Sequence, residues 1–372
     1  MYELDIEQFW ADDELAHKDN CFYKDAPQVA LGIRMSDECV FAELDVPGDP
    51  WGDLDPLLRA RYNKMYNDKA EKIVGRRLLS EKIPNPDAAF PYVKRIGEIF
   101  GGTYIRGEYT SEWLVSDIKT YDLLEKRLDY IDRMDLADFM LPPNWEAKKN
   151  RIYEKYGILP DPINAIRGPV TLACSIVGEE NLIFMYYDAR ELFERFGKTI
   201  GDVIIGMIDV MNNERGAKAP VSRGFSFYDD NCVLLTPEMY EVFGYPILKR
   251  VFDYTAPGER DRRYQHSDSA MEHLLPVLAR LNLTGCNFGP TVTVDKIRRY
   301  MPKTRIDGCL SPLTFMRNNP DEIIAEVKRD CEMIKEAGTK GLNLTTAGSI
   351  NNGSSLESMR LVMQVIQNYG RY

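Results

Sequence analysis

Hydrophobic and polar positions take up a repeating order in the last third of the chain. From Arg263 to Tyr372, short apolar runs of strand length alternate with stretches whose apolar residues recur every three or four positions, and each run ends in polar residues. The first unit is Tyr264-Gln265-His266-Ser267-Asp268 with a helix through Leu274, Leu275, Leu278 and Leu281. The second is Leu283 to Phe288, the turn Gly289-Pro290, and a helix through Ile297 and Met301. The third is Arg305 to Leu310, the turn Ser311-Pro312, and a helix from Pro320. The fourth is Gly341 to Thr346, a polar turn from Gly348 to Gly353, and a final helix. Strands alternating with helices predict a parallel sheet. Polar residues gathered after successive parallel strands are how a (β/α)8 barrel builds a site. The expected fold is α/β: a (β/α)8 TIM barrel over 106–372, with 1–105 as an irregular N-terminal extension or lid packed on it.

Upstream the pattern predicts a helix over 117–140, with Leu123, Leu124, Leu128, Ile131 and Met134 on one face. Ile163 to Cys174 reads as a buried strand and turn, 190–212 as a long helix, and Val221 to Phe227 as the next strand. Three helix starts carry the cap-and-proline signature: Asp55-Pro56, Thr236-Pro237 and Asn319-Pro320. The first of these helices bears Arg59, Arg61, Lys64, Lys69, Lys72, Arg76 and Arg77, which reads as a solvated charged face more readily than as an anion site.

Composition narrows the class. At 372 residues the chain exceeds a typical barrel of roughly 250 residues. A net charge of −11 argues against nucleic acid or an anionic membrane as a partner, and no apolar run approaches the length of a membrane span. The seven cysteines form no CxxC pair, and the N-terminus Met1-Tyr2-Glu3-Leu4-Asp5 is acidic, unlike a secretory signal. A reducing, cytoplasmic setting is expected. G-x-G-x-x-G, G-x-x-x-x-G-K, H-E-x-x-H and G-x-S-x-G are all absent, which removes the usual signs of nucleotide chemistry, zinc proteolysis and serine hydrolysis.

The chemistry-bearing residues lie where barrel strands end. In Asp229-Asp230-Asn231 the adjacent carboxylates alternate sides of an extended chain, so one faces a pocket. Acid–base work, metal ligation or binding of a cationic group are open to it, as is capping of the next helix. In His266-Ser267-Asp268 the first and third side chains point the same way. His266 and Asp268 are therefore candidate ligands of one metal ion or contacts to one substrate atom, with helix capping as the plain alternative for Asp268. Asn287, and Ser349, Asn351 and Asn352 in the last polar turn, are candidate substrate contacts, and turn chemistry accounts for the same residue types. Arg223 and Arg317 are candidate carboxylate partners. Cys286 and Cys309 read as buried small residues. Arg262 and Arg263 precede their strand and belong at the other end of a barrel.

These segments together resemble the uroporphyrinogen decarboxylase superfamily. Gly168-Pro169-Val170-Thr171-Leu172-Ala173 is similar to that family's G-x-P-x-T-L-A segment. Phe227 to Asn231 with Leu235-Thr236-Pro237-Glu238 is similar to its strand-four aspartate and the helix after it, Arg305 to Pro312 to its G-N-x-x-P strand with Cys309 at the usual Asn, and Gly341 to Asn352 to its last strand and glycine-rich turn. The resemblance implies a barrel, often dimeric, with its site at the mouth, and either of two chemistries. Uroporphyrinogen decarboxylation relies on an N-terminal R-Q-A-G-R-type motif, which this chain lacks. Corrinoid-dependent methyl transfer uses zinc held by H-x-C and a later Cys. Here His266 matches the His, Asp268 replaces the first Cys, and no Cys stands near Thr346. The resulting expectation is methyl transfer between a small methylated substrate and a corrinoid on a partner protein, assisted by zinc on His266 and Asp268. Asp230, His266 and Asp268 would be catalytic, and Asp229, Asn231, Asn287, Arg317, Ser349, Asn351 and Asn352 would contact substrate. Decarboxylation of a porphyrinogen or smaller carboxylate is the alternative, with Asp230 stabilising positive charge on a protonated pyrrole.

Overall fold

The computed structural model describes residues 2–216, 223–348 and 353–372. Seven parallel strands form its main sheet: β1 (Ala30–Leu31), β4 (Ala165–Arg167), β5 (Gly224–Tyr228), β6 (Arg262–Ser267), β7 (Gly285–Phe288), β8 (Arg305–Asp307) and β9 (Leu342–Leu344). A separate antiparallel hairpin pairs β2 (Thr103–Ile105) with β3 (Trp113–Val115). The sheet runs β1-β9-β8-β7-β6-β5-β4, so from β4 onward each strand lies beside the next in sequence. This is the wall of the predicted TIM barrel. No pairing among the described residues joins β4 back to β1. Residues 1–105 supply β1 as well as helices, including Ile6–Ala16 and Pro56–Val74.

Local sequence explains most helix starts. Asp55, Thr236 and Asn319 each accept main-chain N–H bonds at a helix whose first residue is proline. On the helix Pro320–Glu336, Ile323, Val327, Cys331 and Ile334 are buried, as the spacing predicts. The helix expected over 117–140 is broken into Tyr121–Ile131 and Leu136–Met140, because Asp135 turns its side chain onto the Asp138 amide and restarts the helix. The basic face of Pro56–Val74 is largely ion-paired, for example Arg59 with Asp37 and Lys64 with Asp68, as a solvated face would be. No helix among the described residues is long and apolar enough to cross a membrane.

One expectation is corrected here. Ile163 to Cys174 is not a strand and turn throughout, since Pro169–Val177 is a helix. Its amides at Val170 and Thr171 are taken by the Asp229 carboxylate (3.4 and 2.7 Å), which is 58 positions beyond Thr171. The cap is supplied from the next strand, so no local pattern announces it.

Candidate functional site

Parallel pairing aligns Arg167 with Tyr228, Tyr228 with His266, and His266 with Asn287. One register row thus places a cation, a phenol, an imidazole and an amide along the rim of four neighbouring strands. Asp230 follows β5 and Asp268 follows β6, both just past this row.

Asp230, His266 and Asp268 converge. One ligand atom from each lies within 4.8 Å of the others. His266 Nε2 is 3.6 Å from Asp230 Oδ1, and the same oxygen accepts the Asp268 main-chain N–H at 3.1 Å. The imidazole is 16% exposed and Asp230 46% exposed, so the carboxylate is the more open to solvent of the two. Asp268 is an exposed residue. Partial desolvation of its carboxyl, and then the Asp230 carboxylate beside it, still raise it above the usual carboxylate range.

The tautomer of His266 follows from its other nitrogen. Asn287 is nearly buried, and its Nδ2 donates to the carbonyls of Asp307 and Thr346 (2.5 and 3.0 Å). Carbonyls only accept, so the amide orientation is fixed. Asn287 Oδ1 then accepts from the Gly348 amide at 3.1 Å and meets His266 Nδ1 at 2.6 Å. Nδ1 therefore donates to that oxygen, and in the neutral ring the Nε2 lone pair faces Asp230 and Asp268. An imidazole oriented by a second residue, beside two carboxylates, is a donor set that suits a divalent cation such as zinc.

The other candidates separate. Asp229 is fully buried, and burial pushes its carboxyl up to about 6 against the pull of the Thr171 and Val170 amides. It approaches Gly168 so closely that a Cβ there would lie 2.1 Å from Asp229 Cβ. Asp229 is therefore a long-range helix cap and not a group open to substrate. Asn231 donates to Glu179 at 3.2 Å, and its amide binds the Thr171 hydroxyl at 3.0 Å. Asn287 holds His266 and presents little surface of its own. Arg317 pairs with Glu322 at 3.1 Å and touches none of the three clustered residues. Arg223 precedes β5 and so lies at the opposite end of the barrel, where it cannot meet a substrate at this mouth. Ser349, Asn351 and Asn352 lie outside the described residues, as does Val221. Sequence reasoning passed over Tyr228, whose ring centroid is 5.7 Å from that of His266, and Arg167, whose guanidinium bonds Ser175 at 3.1 Å. Strand register was the signal that could have found both.

Comparison with known proteins bears on the family and the fold. The family profile described as Uroporphyrinogen decarboxylase (URO-D) matches residues 162–369. No curated protein matches the chain. Among solved structures, a methyltransferase from Methanosarcina mazei superposes with a TM-score of 0.57 at 17% identity, covering 93% of this chain and 94% of that one. At that identity the likeness speaks for the fold alone. A B12-independent methionine synthase from Shewanella sp. W3-18-1, in complex with selenomethionine, overlaps at TM-score 0.38 and 9% identity over 83% of this chain and 88% of its own. That score is too low to carry an argument.

Proposed function

As the chain belongs to the uroporphyrinogen decarboxylase family, we propose that it is a methyltransferase of that family, moving a methyl group between a small methylated substrate and a corrinoid on a partner protein. The observation that carries the reading is the convergence of Asp230, His266 Nε2 and Asp268 at the barrel mouth. These three would hold a divalent ion, zinc by donor type. Such an ion supplies Lewis acidity at the heteroatom that gives or takes the methyl group.

The chain's own residues prepare the site. Asn287 accepts the Nδ1–H of His266, which turns Nε2 toward Asp230 and Asp268 as the ligand atom. The raised Asp268 carboxyl holds a proton more readily than an ordinary carboxylate, and a bound cation would displace it. Tyr228 gives the mouth an apolar ring beside the imidazole, against which a methylated group can rest. Among the described residues, Arg167 is the one cation on the strand-end row with Tyr228, His266 and Asn287. Arg167 is engaged with Ser175 and Arg317 with Glu322, so eight carboxylates of a uroporphyrinogen would go largely unpaired, at a high desolvation cost.

Protein purified under zinc-replete conditions is expected to carry about one zinc per chain. His266→Ala combined with Asp268→Ala should reduce that to background. Anaerobic incubation with uroporphyrinogen should yield no coproporphyrinogen, while a methylated amine or methoxylated compound should methylate a reduced corrinoid. Stepwise loss of carboxyl groups from uroporphyrinogen, abolished by Asp230→Asn, would replace this reading with decarboxylation.

A further inference from the structure

The barrel has a second open end. A cavity of about 1150 Å³ lies at the N-terminal ends of β6, β7 and β8, whereas the His266 cluster lies past the C-terminal ends of β5 and β6. Five cationic side chains line it, Arg260, Arg262, Arg263, Lys303 and Arg305, against two carboxylates, Asp19 and Glu259. In a chain of net charge −11 this is a local reversal of sign, and a concave wall focuses the resulting field.

The five cations are not equivalent. Arg263 and Arg305 belong to the frame. Arg263 donates to the carbonyls of Ala256 (2.9 Å) and Leu281 (3.2 Å), and Arg305 makes two 2.8 Å bonds to Asp307 and one to Asn20. Arg260 and Lys303 are exposed and make no hydrogen bond or ion pair with any described residue. Arg262 rests on the Tyr264 ring at 4.5 Å without a carboxylate partner. Arg260 comes from the connection into β6 and Arg262 opens that strand, while Lys303 comes from the connection into β8. Strands two places apart are separated by about 10 Å, so uncommitted cations reach the cavity from both sides of β7. One compact anion would leave one side unanswered. Tyr300, 42% exposed, lines the same wall and offers an aromatic face.

We propose that this cavity binds an anion with two linked phosphate groups, of the inorganic pyrophosphate or nucleoside diphosphate class. Arg260 and Arg262 take one phosphate and Lys303 the other, while Arg263 and Arg305 stiffen the floor. The site is independent of the mouth and does not rest on the methyl-transfer reading.

Calorimetric titration of the full chain, with chelator present and in about 50 mM salt, provides the test. Pyrophosphate is expected to bind at one site, more tightly than orthophosphate. Arg260→Ser with Lys303→Ser should weaken it about tenfold or more, with an unchanged near-ultraviolet circular dichroism spectrum, since neither side chain holds the fold. His266→Ala should leave binding untouched. ADP binding more tightly than pyrophosphate, with the gain lost in Tyr300→Ala, would support the site with a nucleotide as its source. Equal binding would support it with an unadorned diphosphate. Failure of pyrophosphate to bind in the millimolar range, equal binding by the double variant, or loss of binding in His266→Ala would overturn the proposal.

Discussion

Asn287 shows how much one side chain decides. Its amide nitrogen satisfies two buried carbonyls and its oxygen orients His266. The two halves can be separated by mutation. Asn287→Ala removes both and is expected to lower zinc affinity by about 10–100-fold, the usual cost of losing the partner behind a ligating histidine. Asn287→Asp keeps an acceptor for Nδ1–H but cannot donate to the carbonyls of Asp307 and Thr346. It should lose stability, on the order of 1–3 kcal/mol for each orphaned group, while holding zinc nearly as well as the unmutated protein. Competition against a chromophoric chelator and urea unfolding measure the two effects. Equal zinc affinities in the two variants would show that Asn287 does not act through His266. The pairing of His266 with Asp268 was legible in sequence because the two-residue period of a strand is local. The roles of Asn287 and Asp229 were not, because both are set by partners far off in sequence, on neighbouring strands and turns for Asn287 and on the helix Pro169–Val177 for Asp229.

Among the elements, β1 poses the sharpest packing problem. Its one paired edge faces β9, and the other is open in the described sheet. The helix Ile6–Ala16 closes it. Asp13 accepts the Leu31 N–H at 2.7 Å, and His17 Nε2, at the helix C-terminus, lies 3.2 Å from the Leu31 carbonyl and 3.4 Å from Asp13. Its bond to Asp13, and next its contact with Cys21, raise His17 from 6.5 to about 10. A histidine raised on folding stabilises the fold fully below its unfolded value and loses that contribution as pH climbs through the folded one. The ring is 42% exposed, so the effect is modest, on the order of 1 kcal/mol or less. Urea midpoints at pH 6, 8 and 10 should show His17→Gln least stable relative to the parent at pH 6, with the gap closing by pH 10. A gap that stays constant would remove the charge from the explanation. Helices opened by Thr236-Pro237 and Asn319-Pro320 were readable because their caps sit next to them. A two-residue strand clamped by a neighbouring helix leaves no periodic trace.

Across the whole molecule, the two ends of the chain are knitted together. Tyr2 bonds Asn368, Val29 bonds Gly370, and Arg371 pairs with Asp12. Val29 and Leu31 are buried in the same core as Leu344 and Ile366. The segment before residue 106 is therefore expected to be part of the folding unit. The fragment 106–372 should express without a cooperative thermal transition by circular dichroism, and a sharp melt near that of the intact chain would contradict this. Polar side chains also thread the barrel interior, with Tyr264, Arg305 and Asn343 all bonded to the Asp307 carboxylate.

The pairing of β1 with β9 has a consequence for how the protein is made. Ala30 meets Asn343, a partner about 310 residues further along, and at roughly 5–20 residues per second the nascent strand waits some tens of seconds for it. Throughout that time the ribosome carries a chain whose first barrel strand has an unclaimed edge and whose apolar Val29, Leu31 and Ile33 have no completed wall to enter. The barrel can shut only when its final strand has emerged, so slower translation lengthens the time for which that first strand stays unpaired.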